Sequence, residues 1–487
     1  MSVTQPSTPE ERHDNPAASR PPGPADDGPT LRKSAIGLRE STIISMAGAA
    51  PGQVVAVSLA PLIVASSYGF IPSIIVASLA MLCIAVAFQR MNLWEQDCGG
   101  PYAWVGRAVG PRAGFGVGWI LAVTFIVSLI INFVSIGPAV LALLGFDPSS
   151  QWGTVIAATV LGAFLTAFAV IGVQLTGRLQ LSLAIAEYAV LLLFSALAFW
   201  ALFANDRPNS VHPTWAWLSP SGVGGTGGFV AAMLLVIFMI AQWDTSIYLS
   251  EETERAETNP GKAVIIAVIV LGVMYTLICF AFATVAPPEA MEQHSTNAAV
   301  FVAEELTGTG WAKAMALAVV ASVLAATQAT IVGLARIMLA MGRDKVLPSV
   351  FGKVHRKFQT PAASTLLIGG LGIAATWMYI LASSVAHALD LLIATVGFLF
   401  ACYYALTALA AAWALRDRVL SNWRDALLGG VLPLVGAVLL GWVAIACAVD
   451  FAAAEWMALA ALSALGVVMY LIAKYRYRAP ILRSPNQ

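Results

Sequence analysis

Two carboxyl groups lie inside apolar stretches long enough to cross a membrane. Glu187 sits mid-run in Leu183-Ala184-Ile185-Ala186-Glu187-Tyr188, and Asp244 follows Ala241-Gln242-Trp243. A charge at the centre of a bilayer costs roughly 2.5–3.5 kcal/mol on insertion scales, so such residues are rare and mark proton relays, ion paths or ligand sites. Glu187 has the chemistry to hold and release a proton; its plainer role is a hydrogen-bonded structural carboxyl near one membrane face. Asp244 has the chemistry to bind an ammonium group or to brace unwound backbone. Thr327, Gln328 and Thr330 fall on one turn of a further apolar run. Their hydroxyl and amide side chains most often join one helix to another.

Other chemistries lack their residues. His212, His294, His355 and His387 fall in loops or at span ends, His13 lies near the N-terminus, and no two have metal-ligand spacing on a helix. No G-x-S-x-G nucleophile motif occurs. Cys83, Cys98, Cys279, Cys402 and Cys447 form no C-x-x-C pair, and four of them read as small core residues. The expectation is a chain without a metal, a cofactor or an enzymatic activity.

The runs that carry Asp244 and its counterpart in the first half are each broken near the middle. Residues 43–65 are interrupted by Gly48-Ala49-Ala50-Pro51-Gly52, and residues 228–249 by Ala241-Gln242-Trp243-Asp244. In lipid an unsatisfied backbone group costs several kcal/mol, roughly, so a broken helix persists only where its free groups line a buried cavity. Paired breaks in corresponding helices of two halves mark a secondary transporter with a midplane site. The plainer reading is two kinked helices. The first break frees N–H groups at the start of a half-helix, which suit a carboxylate. The second ends a half-helix in free carbonyls, which suit an ammonium group.

The elements that must position these groups follow from composition. The chain has 487 residues, 59% hydrophobic and 11% charged, where a soluble domain is about a quarter charged. Mean hydropathy is +0.81, so most of the chain belongs in a lipid bilayer. A formal net charge of zero gives no case for a nucleic-acid partner. The first thirty residues are rich in Pro, Ser and acidic side chains and read as a disordered tail, not a signal peptide. About twelve spans follow, near residues 43–65, 72–91, 114–144, 152–173, 179–203, 228–249, 263–285, 311–340, 361–383, 389–415, 426–449 and 452–470.

Lys and Arg orient them. With the N-terminus inside, only Arg207 and Lys313 fall outside, against a cytoplasmic set that includes Arg32, Arg90, Arg178, Arg255, Arg343 and Lys474. Both termini are then cytoplasmic and the number of spans is even. Three connections exceed simple loops. Residues 90–110 carry Gly99-Gly100-Pro101 ahead of Tyr102 and Trp104, and read as an interfacial segment with aromatics at headgroup level. Residues 286–310 are long, hold a short helix near 297–306, and form a lid or an exposed excursion. Residues 341–360 are basic, a charge that serves topology. Gly114-x-Gly116-x-Gly118 and Gly429-Gly430…Gly436 permit close helix packing.

Three stretches resemble a known family. Gly99-Gly100-Pro101-Tyr102-Ala103-Trp104-Val105, then Gly110 and Gly118-Trp119, is similar to the G-G-x-Y-x-[WY]-[VL]…G…G-W signature of the amino acid–polyamine–organocation (APC) superfamily. Glu251-Glu252-Thr253 with Asn259-Pro260 resembles its E-E-x…N-P stretch. Ala335-Arg336, Ala340-Met341-Gly342-Arg343-Asp344, Leu347-Pro348 and Thr360-Pro361 resemble its eighth-helix exit. The resemblance runs from Ser41 to about Arg418. It implies an all-α membrane fold with two inverted five-helix repeats, broken helices one and six, and two appended helices. It also implies substrate held between the breaks.

The chain departs from the family at both breaks: Gly48-Ala49-Ala50 stands where many members have G-[SA]-G, and Gln242 stands where glycine is expected. By position Phe238 resembles the family's aromatic gate, or is ordinary core packing. Several proton-coupled relatives keep a Lys in the fifth helix in place of sodium; here no Lys or Arg occurs between Arg178 and Arg207, leaving Glu187 as the ionisable group for that site. Relatives with varied substrates keep an acid at the Asp244 position, which favours bracing.

The domain reading is a tail over 1–38, a transporter domain over 39–475 and a tail over 476–487. Within the domain, repeats cover about 41–205 and 226–416, with appended helices over about 424–475. The functional reading is an importer of an amino acid, coupled to protons, in the cell membrane. Its substrate groups are Gly48, Ala49, Ala50, Gly52, Phe238, Ala241, Gln242, Trp243 and Asp244, and its cation-coupling groups are Glu187, Thr327 and Thr330. The alternatives are a polyamine or small-amine transporter or exchanger on the same fold, and a non-transporting membrane nutrient sensor. The short termini argue against the sensor. Oligomeric state is left open.

Overall fold

The computed structural model describes residues 29–66, 68–147, 150–204, 210–219, 223, 225–295, 297–382, 385–419, 422–477 and 479. Most of the expected tail, the extreme C-terminus and Arg207 lie outside the described residues. The described chain is helical. Its first half holds α1 (Leu38–Gly48), α2 (Pro51–Ser66), α3 (Phe70–Trp94), α4 (Pro101–Ala108), α5 (Pro111–Leu144), α6 (Gln151–Ile171) and α7 (Val173–Ala204). The second holds α8 (Gly225–Ile240), α9 (Thr245–Tyr248), α10 (Asn259–Ala283), α11 (Pro288–Gln293), α12 (Ala298–Thr307), α13 (Thr309–Arg343), α14 (Ala362–Ala382) and α15 (Val385–Ala414). The chain closes with α16 (Arg416–Val419), α17 (Trp423–Ala426), α18 (Leu432–Val449) and α19 (Ala453–Leu471).

Among the described residues ten helices are long and apolar enough to span a bilayer, counting α1 and α2 as one, and α8 and α14 supply two shorter apolar segments. Together they match the expected spans. With 16 residues, α8 reaches only about 24 Å and needs α9 to complete a crossing. The start of α18 falls six residues later than expected, because Leu427–Val431 forms a π-turn first. Gly429 and Gly430 sit in that turn, while Gly436 lets α18 approach Ile84 on α3.

The packing repeats across the two halves. α3 packs on α10, α5 on α13 and α6 on α14, and the crossed pairs α5–α15 and α7–α13 mirror each other. That is the contact pattern of two five-helix units related by a two-fold axis, with α18 and α19 appended. The inner helices α2, α5 and α13 are buried along most of their length, whereas α19 exposes Trp456, Met457, Leu465 and Val467. Apolar side chains on an outer face are what a bilayer solvates.

One connection departs from expectation. Tyr102 and Trp104 are buried, not ranged along an interface. Trp104 meets the Phe88 ring edge-on at 5.5 Å and donates Nε1–H to the Glu95 carbonyl at 2.9 Å. The cause is the turn before α4. Gly100 takes φ 49°, and a Cβ there would lie 2.9 Å from Tyr248. Only glycine allows that approach, and it tucks α4 into the bundle. The long connection between α10 and α13 folds as α11 and α12, which pack on α2 with Met291 and Val302 buried. It covers that end of α2 and is not an exposed excursion.

Candidate substrate cavity

The first break begins where α1 stops at Gly48. Ala50 turns with φ 47°, and Pro51 opens α2. Proline suits that place: it has no N–H to leave unpaired and its φ is preset for a helix. The second break begins after Ile240. Residues 241–244 form turns, with Gln242 at φ 64°, and α9 follows. A left-handed L residue is strained by roughly 1–2 kcal/mol. The two left-handed positions, 50 and 242, are also those where this chain lacks the glycines of its resembled family.

The breaks touch back to back. A Cβ on Gly48 would lie 2.4 Å from the Gln242 carbonyl oxygen and 2.8 Å from Thr245 Oγ1, so only glycine fits. Ser45 and Ser246 join α1 to α9 through their hydroxyls at 2.8 Å. Gln242 is held on three sides: its N–H donates to Tyr404 Oη at 3.2 Å, its carbonyl accepts from Thr245 at 2.8 Å, and its Oε1 accepts from Thr330 at 2.9 Å. Asp244, fully buried, accepts from Tyr248 and Tyr403 at Oδ2 and from Tyr404 at Oδ1. Trp243 stacks on Tyr404 at 5.1 Å, 11° from parallel. Both acidic oxygens of Asp244 are thus spoken for by hydroxyl donors from its own helix and from α15.

The free backbone groups differ between the breaks. At the first, Ala49 and Ala50 donate back to Met46 and Ala47, and Val54 donates to Ala50. Gly52 N–H donates to Glu187 Oε1 at 2.6 Å and Gln53 N–H to Ser322 Oγ at 3.2 Å. The N–H groups expected to face a carboxylate therefore all have internal partners. At the second, the carbonyls of Met239, Ile240 and Ala241 accept no backbone hydrogen bond among the described residues.

A cavity of about 20 Å³, room for about one water, lies between the breaks. Gly48, Ala49 and Ala50 line it from the first break, and Phe238, Ala241 and Gln242 from the second. Gly52, Trp243 and Asp244 do not line it: Gly52 faces Glu187 and Ser322, and the other two are packed among aromatic rings. Residues not anticipated complete the wall: Gln53 and Val54 on α2, Ser128, Ile131 and Asn132 on α5, and Phe400 on α15. Among the described residues no ionisable side chain lines it. The signal for Gln53 and Asn132 was present, since an amide within an apolar run needs a reason to be there.

Glu187 does not line this cavity and is fully buried against Gly52. Its Oε2 has no hydrogen-bond partner among the described residues. Thr327 donates to its own helix at Val323, and Thr330 to Gln242 and Ala326. Neither joins Glu187; on α13 the neighbour of that carboxyl is Ser322. The three expected cation-coupling residues are therefore not brought together.

Beyond α9 the bundle is closed by ion pairs. Arg336 forks onto Glu252 at 2.7 and 3.1 Å, both side chains buried. Arg343 meets both oxygens of Glu251 at 2.8 and 2.9 Å. Burial acts against the Glu251 charge, yet Arg343 outweighs it and holds that carboxyl below its usual range. Asp97, Cys98 and Glu251 hold their donor atoms within 4.8 Å of one another, and burial pushes the Asp97 carboxyl up to about 6. Residues 31–36, assigned to the tail, instead pack here. Ala35 N–H donates to the Glu252 carbonyl at 2.7 Å and Glu254 N–H to that of Ile36 at 2.9 Å, with Leu31 and Ile36 buried.

Comparison with known proteins gives the chain its family. The amino acid permease family matches residues 35–474. The low-affinity putrescine importer PlaP of Escherichia coli (strain K12) is 24% identical over 303 residues, 61% of this chain and 65% of the importer's length. The branched-chain amino acid permease BcaP of Bacillus subtilis (strain 168) is 25% identical over 71% of this chain and 75% of its own. An arginine/ornithine antiporter of Latilactobacillus sakei is 23% identical over 61% of this chain and 62% of its own. With discontinuous helices meeting at a buried cavity and a family match over nearly its whole length, this multi-pass membrane chain belongs to the amino acid permease family of the APC superfamily.

Proposed function

We propose that this permease is a secondary transporter that imports an amino acid across the cell membrane, driven by protons, with both termini cytoplasmic. The observation that carries the reading is the meeting of the two breaks, Gly48 against Gln242, at one cavity inside the bundle. The distribution of Lys and Arg supports the orientation, and the similarity to BcaP, a branched-chain amino acid permease, supports the substrate class. Phe238 and Phe400 are the aromatic side chains in the cavity wall, and a space of about 20 Å³ must widen to admit anything larger than water.

Proton coupling rests on Glu187. Its carboxylate holds the first free N–H of α2, so the proton and the first break are linked through one hydrogen bond. A bond to a charged acceptor contributes about 1.5–3 kcal/mol, and protonation weakens it. Proton and substrate then bias the same broken helix, which is what coupling requires. Glu187→Gln fixes the neutral state. It is expected to abolish accumulation against a gradient in proteoliposomes while exchange continues in part, and uptake is expected to follow a pH gradient and not sodium. Sodium-dependent uptake, or full accumulation by Glu187→Gln, removes Glu187 from the mechanism.

The second reading, import or exchange of a polyamine or small amine, is favoured by the similarity to PlaP. Against it, both oxygens of Asp244 are already bonded to tyrosines, and no carboxylate among the described residues lines the cavity. Uptake of a labelled panel of amino acids and diamines separates the two.

A further inference from the structure

We infer that Gln53, assisted by Ser128, reads both poles of the substrate's α-carbon, in place of the free helix terminus that this site lacks. The inference rests on the amino acid reading above. It begins from the backbone accounting: every N–H at the start of α2 is committed, two of them to Glu187 and Ser322. A substrate carboxylate must find its donors elsewhere. Among the described residues the cavity wall offers no cationic side chain, so those donors are neutral.

Two side chains in the wall have polar atoms that are fully buried and unpartnered among the described residues. Gln53 is 1% exposed, and among the described residues neither its Oε1 nor its Nε2 has a hydrogen-bond partner. Ser128 is 5% exposed and its Oγ is likewise unpartnered among them. Buried polar groups are nearly always bonded, and these two, unlike the other unpartnered atoms, line one cavity where an occupant can meet them. By contrast Gln242, the other glutamine in the wall, has Oε1 bonded to Thr330. Gln53 and Ser128 come from different helices, α2 and α5, yet face one cavity.

The chemistry of a primary amide suits a zwitterion. Nε2 carries two N–H donors and Oε1 two lone pairs. Nε2–H and the Ser128 hydroxyl donate to the carboxylate, while Oε1 accepts from the ammonium beside it. The Ala241 carbonyl, at the cavity wall just after α8, supplies a further acceptor for that ammonium. A reader with no net charge selects a group with no net charge. A diamine brings two ammonium groups and no carboxylate, and would leave the donors of Gln53 and Ser128 unmet.

The test is equilibrium binding and uptake by the purified full chain in proteoliposomes, with a labelled neutral amino acid and a labelled diamine compared throughout. Gln53→Leu is expected to weaken amino acid binding roughly ten- to a hundred-fold, the loss of hydrogen bonds to charged groups. Ser128→Ala is expected to act in the same direction by less. Gln53→Glu sets an anion against the carboxylate and an acceptor towards amines, so the ratio of diamine to amino acid affinity is expected to rise at least tenfold, roughly. That ratio is independent of folded yield, so it remains readable if Gln53→Leu folds poorly. Wild-type binding of amino acids with an unchanged affinity in Gln53→Leu, or with an unchanged ratio in Gln53→Glu, overturns the role of Gln53 alone. Wild-type binding of the diamine and of no amino acid overturns the substrate reading, and this inference with it.

Discussion

Asp244 is the residue whose two possible roles the structure separates most sharply. Three tyrosine hydroxyls converge on its carboxylate, and two of them come from Tyr403 and Tyr404 on α15. Asp244→Asn replaces one acceptor oxygen by a donor and sets it against hydroxyl donors. Each bond to the charge contributes about 1.5–3 kcal/mol, so folded yield and thermal midpoint are expected to fall while selectivity between an amino acid and a diamine stays unchanged. Selective loss of the diamine would return Asp244 to substrate binding. The sequence presented the acid, and Tyr248 four residues on, but could not show the other two donors, which lie 159 and 160 residues away. Strain was equally hidden, because nothing in the local sequence marks Ala50 as taking a positive φ. Relief of that strain is expected to offset the loss of a methyl, so Ala50→Gly should destabilise less than Ala60→Gly, whose site is a buried helix interior, by about 1 kcal/mol in thermal or denaturant unfolding. Equal losses at both positions would contradict a strained Ala50.

At the scale of elements, the breaks were legible because each interrupts an otherwise apolar run with residues that have no ordinary place in lipid. Ala241 to Asp244 are the observed turn, and Gly48 to Gly52 brackets the two observed non-helical positions, 49 and 50. The burial of α4 was not legible, because Tyr102 and Trp104 have the composition of an interfacial belt and only the approach at Gly100 reveals where they go. The exit of α13 was read as motif alone; the structure gives its physics as the Arg336–Glu252 pair. Removing one partner of a buried pair leaves an uncompensated charge, so Arg336→Met is expected to destabilise by about 3–5 kcal/mol. Adding Glu252→Leu is expected to recover part of that loss. A double variant no more stable than the single would show that the pair is not the source of the effect.

Across the whole molecule, hydropathy and the placement of Lys and Arg carried the number of spans, and the mirrored contacts of α3–α10, α5–α13 and α6–α14 carry their arrangement. Two five-helix units packed this way bring their first helices together at the centre, so breaks far apart in sequence face one space. The central claim is that this space is where substrate sits. Cysteines introduced singly at Ala49 and Gln242, in a background without the five native cysteines, provide the direct measurement through their rate of modification by a small polar thiol reagent. Both sites are expected to react as the transporter cycles, and saturating substrate is expected to slow both. Two sites that stay inert, or that react at the same rate with and without substrate, would mean that the breaks are kinks in the scaffold and that substrate crosses elsewhere.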